Sequence, residues 1–351
     1  MKVLYLTKYS RNGASSRLRS YQYFPFLEAK GFTITVSPFF DEDYLLDLYS
    51  GKPITKVKLL KFYLTRFFAL FSIYKYDKIV IEKELFPYFF SWFEKILWLL
   101  KVKYIVDYDD AIFHNYDLST NKLILFLLKN KINNVMKHSG CVVAGNNYLA
   151  KRAKDSGADK IVLLPTVINV DLYKAKNNYA NAKIVIGWIG SPSSFKYVKN
   201  SQSVFSKVLQ NQNVELHIIG TTEDLGLGDK VKYLNWSEDS EVDLISQFDI
   251  GIMPLENTPW ELGKCSYKLI QYMGCGIPVV ASEVGMNIEV VDEEVNGFLV
   301  KKEEEWLDRL NQLIEDSALR ESLGKNGRIK VESQFSLQKK TSILLTVLSN
   351  E

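Results

Sequence analysis

Short apolar runs alternate with segments of helical periodicity along the first half of the chain. Six of these runs have the length and composition of buried strands, and they cover residues 3–6, 32–37, 78–82, 104–107, 141–144 and 161–164. The segments between them predict helices over residues 17–30, 53–74, 88–100, 121–138 and 147–156. Apolar strands that are separated by helices are typical of a parallel sheet with helices on both faces.

A polar stretch at 174–181, with three Asn and two Lys, interrupts this alternation. Beyond it the pattern predicts strands over 183–189, 215–219, 230–234, 250–253 and 278–281, and helices over 200–210, 240–247, 265–273 and 303–315. We therefore expect two doubly wound α/β domains, residues 1–173 and 183–335, joined by a linker at 174–182. A C-terminal helix at 336–351 is expected to pack back on the first domain. Ligands of such sheets bind beyond the carboxyl ends of the strands, so we expect the site in a cleft that the two domains face.

Composition narrows the class of protein. The 351 residues are 47% hydrophobic and 24% charged, which excludes a disordered chain, a collagen and a small disulfide scaffold. Three cysteines and three histidines are too few for a disulfide framework or a His-rich metal centre. The apolar run at the start is too short for a signal peptide, and no small-residue cleavage site follows it. A cytoplasmic, reducing location is therefore the expectation.

Charge is distributed unevenly along the chain. Residues 1–170 contain 25 Lys and Arg against 15 Asp and Glu, whereas the remainder contains 19 against 26. This asymmetry predicts that the first domain meets an anionic partner. Nucleic acid, a membrane surface and phosphate groups are the candidates, and no recognisable nucleic-acid reader module supports the first.

The helix predicted after residue 53 combines basic and aromatic side chains. Its basic residues are Lys56, Lys58, Lys61 and Arg66. The segment is too interrupted to span a bilayer, which leaves two interpretations: a helix lying on an anionic membrane, or one packed on the sheet with its lysines in water. The helix at 88–100, with Trp92, Phe93 and Trp98, poses the same choice. We expect a membrane role for part of the first helix and core packing for most of the second.

Two lysines mark the most informative stretch of the second half. Lys264 and Lys268 are four residues apart, and on a helix this spacing would place both ammonium groups on one face near the N-terminus. Like charges so close would repel each other unless an anion lies between them, and a diphosphate fits. The alternative is a solvated basic face at the start of a helix.

The sequence around these lysines resembles a known family. Residues 272–282 read Tyr-Met-Gly-Cys-Gly-Ile-Pro-Val-Val-Ala-Ser, and the continuation contains Val-Gly-Met-Asn at 284–287 and Asn-Gly-Phe-Leu-Val at 296–300. This stretch resembles the donor-binding segment of the GT-B glycosyltransferases of family 4, bacterial surface-polysaccharide subgroup. The resemblance implies two Rossmann-like domains, a nucleotide-sugar donor as substrate, and neither a cofactor nor a metal.

The family's hallmark is a pair of glutamates separated by seven residues. By resemblance these positions fall here on Gly263 and Gln271. Gln271 can still hydrogen-bond ribose hydroxyls, whereas Gly263 supplies no carboxylate, and Glu261 is a candidate to compensate. We expect the donor to be bound by residues of this stretch and of two small-residue loops at 8–19 and 186–194, namely Gly13, Gly190, Ser191, Lys264, Ser266, Tyr267, Lys268 and Gln271.

Three carboxylates, Asp107, Asp109 and Asp110, close one predicted strand of the first domain. From the residues alone they could bind a divalent metal, act as acid and base, or cap the following helix. The resemblance places Asp109 and Asp110 where the family often has a His-Asp pair lining the sugar. We therefore predict Asp109, Asp110 and Lys264 as catalytic residues and predict no metal. His114 is expected to be an ordinary loop histidine.

These observations favour an enzyme. The prediction is a retaining glycosyltransferase that moves a sugar from a nucleotide sugar to a lipid-linked or polysaccharide acceptor in cell-surface glycan synthesis, at the inner face of a membrane. The alternative is a non-catalytic nucleotide-sugar-binding subunit, for which the missing first glutamate is the support. A nicotinamide-dependent oxidoreductase is disfavoured because no Gly-x-Gly-x-x-Gly follows any predicted strand.

Overall fold

The computed structural model describes residues 1–349, apart from the side chain of Tyr49. It divides into two compact units. The first comprises Met1–Thr166, Gly263–Cys265 and the chain from Thr341 onwards, and the second comprises Val167–Leu262 and Ser266–Lys340. The division therefore falls seven residues before the boundary predicted at 173, and a loop tripeptide from the second half of the chain belongs to the first unit.

The first unit is built on a parallel sheet. Its strands are β1 (Lys2–Leu6), β2 (Thr33–Val36), β3 (Lys78–Glu82), β4 (Tyr104–Tyr108), β5 (Cys141–Ala144) and β6 (Ile161–Leu163). They are arranged in the order β2-β1-β3-β4-β5-β6, and the predicted strands agree with them to within about one residue at each end. The central strands are buried on both faces, as in β4, where all five residues are buried. This explains why near-continuous apolar runs predicted them well.

Helices flank this sheet, and several predicted helices are broken. They are α1 (Ala14–Arg19), α2 (Phe24–Glu28), α3 (Glu42–Tyr49), α4 (Lys56–Leu70), α5 (Trp92–Leu99), α6 (His114–Asp117), α7 (Lys122–Leu128), α8 (Lys131–Lys137) and α9 (Asn147–Asp155). The single helix predicted at 17–30 is divided into α1, a 3-10 turn and α2, which has a proline in its first turn. The helix predicted from residue 88 begins later, because Tyr88 has a left-handed backbone with φ of 55°.

The second unit repeats the architecture. Its strands are β7 (Ile184–Ile189), β8 (Val214–Ile219), β9 (Val231–Leu234), β10 (Ile250–Met253), β11 (Val279–Ser282) and β12 (Gly297–Val300), in the order β12-β11-β10-β7-β8-β9. The strand predictions missed β12, which pairs with β11 in parallel. It begins at a glycine for a physical reason: a Cβ at Gly297 would lie 2.6 Å from the carbonyl oxygen of Val279.

The helices of the second half are mostly short until the C-terminal region. They are α10 (Lys196–Asn200), α11 (Gln202–Val208), α12 (Glu241–Ser246), α13 (Pro259–Leu262), α14 (Tyr267–Gly274), α15 (Asn287–Val290), α16 (Glu303–Glu315), α17 (Ser317–Gln334) and α18 (Leu337–Ser349). The last of these begins in the second unit and belongs to the first unit from Thr341 onwards. No helix among the described residues is long and apolar enough to cross a membrane.

The polar stretch predicted as a linker is bonded to the second unit. The backbone N–H of Lys176 donates to the carbonyl of Cys275 at 2.9 Å, and its Nζ lies 2.6 Å from Asp249. The Tyr179 hydroxyl donates to the carbonyl of Gly276 at 2.8 Å. Residues 174–182 are therefore bonded to this unit, through the backbone of Lys176 and the hydroxyl of Tyr179 at the turn after α14 and through the Lys176 side chain at Asp249.

Candidate functional site

Charged side chains of the first unit cluster at the carboxyl ends of β3 and β4. Glu82 and Asp107 are register partners at the ends of the two strands, and Lys83, Asp109 and Asp110 follow them. The carboxyl ends of parallel strands meet at one edge of a sheet, where such folds bind ligands. The sequence analysis singled out the three aspartates but missed Glu82 and Lys83, although a charged tripeptide directly after a buried strand was a visible signal.

Repulsion among the three aspartates is reduced, because Asp107 and Asp109 each pair with a different basic side chain. Asp107 is buried and forms a two-bond ion pair with Arg19, at 2.6 Å from Nη2 to Oδ1 and 2.9 Å from Nε to Oδ2. Arg19 also donates to the carbonyl of Leu164 at 2.6 Å. This pair therefore has a structural role, since its hydrogen-bonding groups are used within the unit.

The pKa values of Asp109 and Asp110 are shifted in opposite directions. The buried Lys83 ammonium lies 2.9 Å from Asp109 and 4.0 Å from Asp110. Burial alone would raise the pKa of Asp109, but the charge of Lys83, together with side-chain hydrogen bonding and the charge of Arg19, lowers it to about 2. Desolvation and the neighbouring charge of Asp109 raise the pKa of Asp110. Opposite shifts in adjacent carboxyls are a feature of acid and base sites, and Asp110 is the more exposed of the two, at 36% of its side chain against 13%.

Glu82 fixes the loop that contains Gly13. Its carboxylate accepts hydrogen bonds from Ser15 at 3.0 Å, from Ser16 at 2.6 Å and from the backbone N–H of Lys8 at 3.0 Å. Gly13 caps α1, and a Cβ there would lie 2.8 Å from Cγ of Tyr9. The loop therefore requires glycine for packing, and its serines contact a carboxylate. Binding of donor by Gly13 stays a prediction.

The loop tripeptide Gly263–Cys265 lies beside these aspartates. Asn146 Nδ2 donates to the carbonyls of Gly263 and Lys264, at 3.0 Å each, and the Cys265 thiol donates to the carbonyl of Asp109 at 2.9 Å. The charge of Lys264 acts on Asp110 and lowers its pKa against the larger raising effects. The structure thus brings together the three residues predicted as catalytic.

Lys264 and Lys268 do not lie on one face of a helix, contrary to the prediction from their spacing. Helix α14 begins at Tyr267, after Ser266 in a left-handed conformation with φ of 50°, so Lys264 lies in the preceding loop. The Ser266 hydroxyl is buried and donates to Asn287 Oδ1 at 2.7 Å, which stabilises this turn. Lys268 is the second residue of the helix, and its Nζ lies 5.6 Å from the ring centroid of Trp188.

The small-residue loop after β7 packs on the same tryptophan. A Cβ at Gly190 would lie 2.6 Å from the Trp188 ring and 2.7 Å from the Ser194 hydroxyl, so only glycine fits. The hydroxyls of Ser191 and Ser193 are 3.0 Å apart, and Ser194 donates to the carbonyl of Ser191 at 2.9 Å. Gly190 and Lys268, both predicted to bind donor, are therefore neighbours of one indole ring.

Gln271 is held by a carboxylate that the sequence analysis missed. Its buried amide nitrogen donates to Glu241 at 2.8 Å and to the hydroxyl of Tyr173 at 3.1 Å, and Tyr267 also hydrogen-bonds to Tyr173. The other oxygen of Glu241 accepts from the Trp236 indole at 2.6 Å. The carboxylate of Glu241, on α12, therefore lies beside Gln271, which occupies the second glutamate position of the family pattern. No sequence signal near Glu241 indicated this.

The surroundings of Gly263 leave no room for the first glutamate of the family pattern, and Glu261 does not replace it. A Cβ at Gly263 would lie 2.7 Å from the backbone nitrogen of Ala111, which excludes any side chain without a shift. Glu261 does not stand in for it, because its two oxygens accept from Tyr197 and Thr258. Burial raises the pKa of Glu261, but these hydrogen bonds outweigh it and lower the pKa overall.

Two other predicted features have different surroundings from those expected. His114 lies between Asp117, at 2.7 Å, and the Tyr148 hydroxyl, at 2.8 Å, in a half-buried network rather than in a free loop. Over residues 1–349, no group of three His, Cys, Asp or Glu side chains is arranged to hold a metal ion. Metal independence remains a prediction.

Only two of the four basic residues predicted to contact a membrane are exposed. Arg66 is buried and donates to the carbonyls of Thr7, at 2.6 Å, and Ser37, at 3.0 Å, so its assignment to a membrane surface is wrong. Lys58 is half-buried and pairs with Asp47 at 2.8 Å. Lys56 and Lys61 are exposed. The buried guanidinium satisfies backbone groups at the carboxyl ends of β1 and β2, a role that a helical pattern alone does not reveal.

Comparison with known proteins agrees with this architecture. Residues 169–330 match the family described as Glycosyl transferases group 1. The chain is 28% identical over 178 residues to the capsular polysaccharide biosynthesis glycosyltransferase CapM of Staphylococcus aureus, covering 48% of this chain and 47% of that protein. It is 28% identical over 145 residues to spore coat protein SA of Bacillus subtilis, covering 40% and 36%. The chain thus spans less than half the length of these curated relatives.

A solved structure extends the likeness in fold to nearly the whole chain. HepE of Anabaena, determined in complex with UDP-glucose, superposes with a TM-score of 0.74 at 17% identity, covering 99% of both chains. At this identity the likeness concerns the fold alone. Residues 169–330 are therefore similar to the glycosyl transferases group 1 family, and the two units have the Rossmann-like α/β architecture of the GT-B fold.

Proposed function

We propose that this protein is a retaining, metal-independent glycosyltransferase that moves a sugar from a nucleotide sugar to a lipid-linked or polysaccharide acceptor in cell-surface glycan synthesis. The observation that carries the proposal is the position of Lys264, on an ordered loop beside Asp109 and Asp110. The group 1 match supports the same reaction class, as do a relative that is named for capsular polysaccharide biosynthesis and a neighbour in fold that binds UDP-glucose.

For the donor, we propose a nucleoside diphosphate sugar held by the second unit. The loop with Gly190 and Ser191 offers backbone N–H groups and hydroxyls to phosphate oxygens. Lys268 lies on the first turn of α14, where the helix dipole also favours an anion. Gln271, whose amide nitrogen donates to Glu241 and Tyr173, is the residue that we assign to the ribose hydroxyls.

The reaction breaks the bond between the anomeric carbon and the diphosphate oxygen. Negative charge develops on the departing phosphate, and the ammonium group of Lys264 is the group that we propose stabilises it without a metal. The acceptor hydroxyl forms the new bond to the anomeric carbon on the face that the phosphate leaves, so the configuration is retained. Its proton passes to the departing phosphate oxygen. Asp109, held ionised by Lys83, and the more exposed Asp110 line the sugar side of this step.

A second candidate function rests on Gly263. The packing of Ala111 leaves no room for a carboxylate at the first glutamate position of the family pattern, which favours a subunit that binds nucleotide sugars without turnover. The two functions differ in one measurable property, the release of nucleoside diphosphate.

The experiment that tests the proposal has two steps. A thermal-shift screen of nucleoside diphosphates and nucleotide sugars first identifies the donor, and release of nucleoside diphosphate is then followed with and without a glycan or lipid-linked acceptor. We expect stabilisation by one donor and turnover with acceptor. Stabilisation without any turnover, across a panel of acceptors, favours the non-catalytic subunit instead.

A further inference from the structure

Helix α4 presents apolar side chains to solvent at helical spacing. Val57, Leu60, Leu64, Phe68 and the following Phe71 recur three or four residues apart, and all are exposed, with Val57 at 79% and Phe68 at 64%. A surface helix of a soluble domain normally turns polar residues outward. The inward side of α4 is already occupied by Phe62 and the buried Arg66, so the outward stripe is not a misplaced core face.

Helix α5 repeats this arrangement beside α4. Trp92, Ile96 and Leu99 form an exposed stripe, with Trp92 at 57%, while Glu94 and Leu97 point inward and are buried. The expectation that most of this helix packs in the core is therefore wrong for its outward side. Phe67 of α4 and Phe93 of α5 have ring centroids 5.9 Å apart, so the two helices are neighbours. We call the outward stripes of α4 and α5 together the apolar face.

The stretch of chain that contains the apolar face is rich in exposed lysines, and Asp41 and Asp47, which precede it, contact Lys58 of α4. Residues 52–103, all of which the structure describes, contain seven exposed lysines: Lys52, Lys56, Lys61, Lys75, Lys95, Lys101 and Lys103. Within the same range the one exposed acid is Asp77, since Glu82, Glu84 and Glu94 are buried. Exposed apolar area in a stretch whose exposed charges are mainly positive indicates a binding surface, and the excess of lysine favours an anionic partner.

We propose that the apolar face lies in the surface of an acidic lipid bilayer, with its aromatic and aliphatic side chains among the acyl chains and its lysines at the headgroups. Tryptophan and phenylalanine on one face of a helix, with lysines beside them, are typical of helices that lie in the membrane interface. The 15 residues of α4 span about 22 Å and are too short to cross the hydrocarbon core. The inference goes beyond the proposed reaction, because it uses none of the residues assigned to donor or catalysis.

The test is flotation of the full chain with vesicles of phosphatidylcholine alone and of phosphatidylcholine with phosphatidylglycerol. We expect binding to the acidic vesicles, with part of it retained at salt concentrations that screen lysine charge, because the apolar side chains insert. The triple variant Leu64→Ser, Phe68→Ser, Trp92→Ser should weaken binding at least tenfold. Lys56→Gln with Lys61→Gln should weaken it about 20- to 30-fold at low salt and little at high salt.

A matched control is available in the second unit. Ile288 and Ile329 are also exposed apolar residues, and Ile288→Ser with Ile329→Ser should leave vesicle binding unchanged. Far-ultraviolet circular dichroism and the melting temperature verify that each variant folds. Failure to bind acidic vesicles at low salt overturns the proposal, as does an equal loss in the control variant. Concentration-dependent self-association that Phe68→Ser abolishes, without vesicle binding, would assign the apolar face to a second copy of the chain instead.

Discussion

Removing Lys83 should destabilise the first unit through the carboxylate it neutralises. Burial has the largest single effect on the pKa of Asp109 and raises it, but the charge of Lys83, side-chain hydrogen bonding and the charge of Arg19 together lower it from 3.8 to about 2. That shift corresponds to about 2 kcal/mol of stability at neutral pH. Replacing Lys83 by Met leaves Asp109 buried without its cation, and breaking one side of a buried pair typically costs about 3–5 kcal/mol. We expect Lys83→Met to lose about 3 kcal/mol at pH 7.

The sign of the pH dependence follows from the lowered pKa. Because the folded-state pKa lies below the unfolded value, the pair stabilises the fold fully above about pH 4, and this contribution is lost as pH falls through about 2. In Lys83→Met the deficit should therefore be largest near neutral pH and should shrink as acid protonates Asp109, since a neutral carboxyl needs no cation.

The assay is a urea titration with pulse-labelling hydrogen exchange, read on peptides that cover β3 and β4. Peptides from β10 and β11 of the second unit serve as the internal reference, and Lys103→Met, at an exposed lysine of the same unit, is the matched control. The double variant Lys83→Met, Asp109→Asn should recover much of the loss, because no buried charge remains. Equal stability of Lys83→Met and wild type, or a double variant no better than the single one, would refute the reasoning.

Three further outcomes are expected. Gly263→Ala should lower the melting temperature and slow turnover, because the added Cβ must displace the backbone at Ala111. Thermal denaturation and an activity assay measure these effects, and a variant with an unchanged melting temperature and turnover would contradict this prediction. Gln271→Glu places two carboxylates within hydrogen-bond distance of each other at Glu241, so it should destabilise the second unit at pH 8 more than at pH 5, and a loss that does not depend on pH would argue against this. Turnover should survive EDTA; complete loss that a divalent ion restores would show that the aspartate loop binds metal.

The strands could be predicted from the sequence because buried parallel strands are near-continuous apolar runs. β3 and β5 begin and end at the predicted residues. β12 could not be found in this way, since it is four residues long and opens with Gly297, whose missing side chain reflects the nearby backbone of β11. Helix ends were less predictable, because a left-handed residue such as Tyr88 or Ser266 carries no mark in the hydrophobic pattern.

Some residues of the candidate site could be predicted from the sequence, but Glu82, Lys83 and Glu241 were missed, and the pairings could not be predicted. Position after a strand identified Asp109 and Asp110, yet nothing in the spacing indicated that Lys83 distinguishes their pKa values. The contact of Gln271 with Glu241 joins positions 30 residues apart, and only the fold brings them together. Arg66 was wrongly predicted to be at the surface for the same reason. It donates to the carbonyls of Thr7 and Ser37, which lie far from it in the sequence.

The proposed reaction depends most on Lys264, which we propose stabilises the departing diphosphate. The most direct measurement is the rate of nucleoside diphosphate release by Lys264→Ala at saturating donor and acceptor, beside Lys154→Ala, an exposed lysine of α9 in the same unit, as the control. Loss of one donor to a developing oxyanion costs on the order of 10²–10³ in rate, so we predict a fall of that size in Lys264→Ala, with an unchanged melting temperature and normal activity in the control. Turnover of Lys264→Ala within a few-fold of wild type would contradict the account.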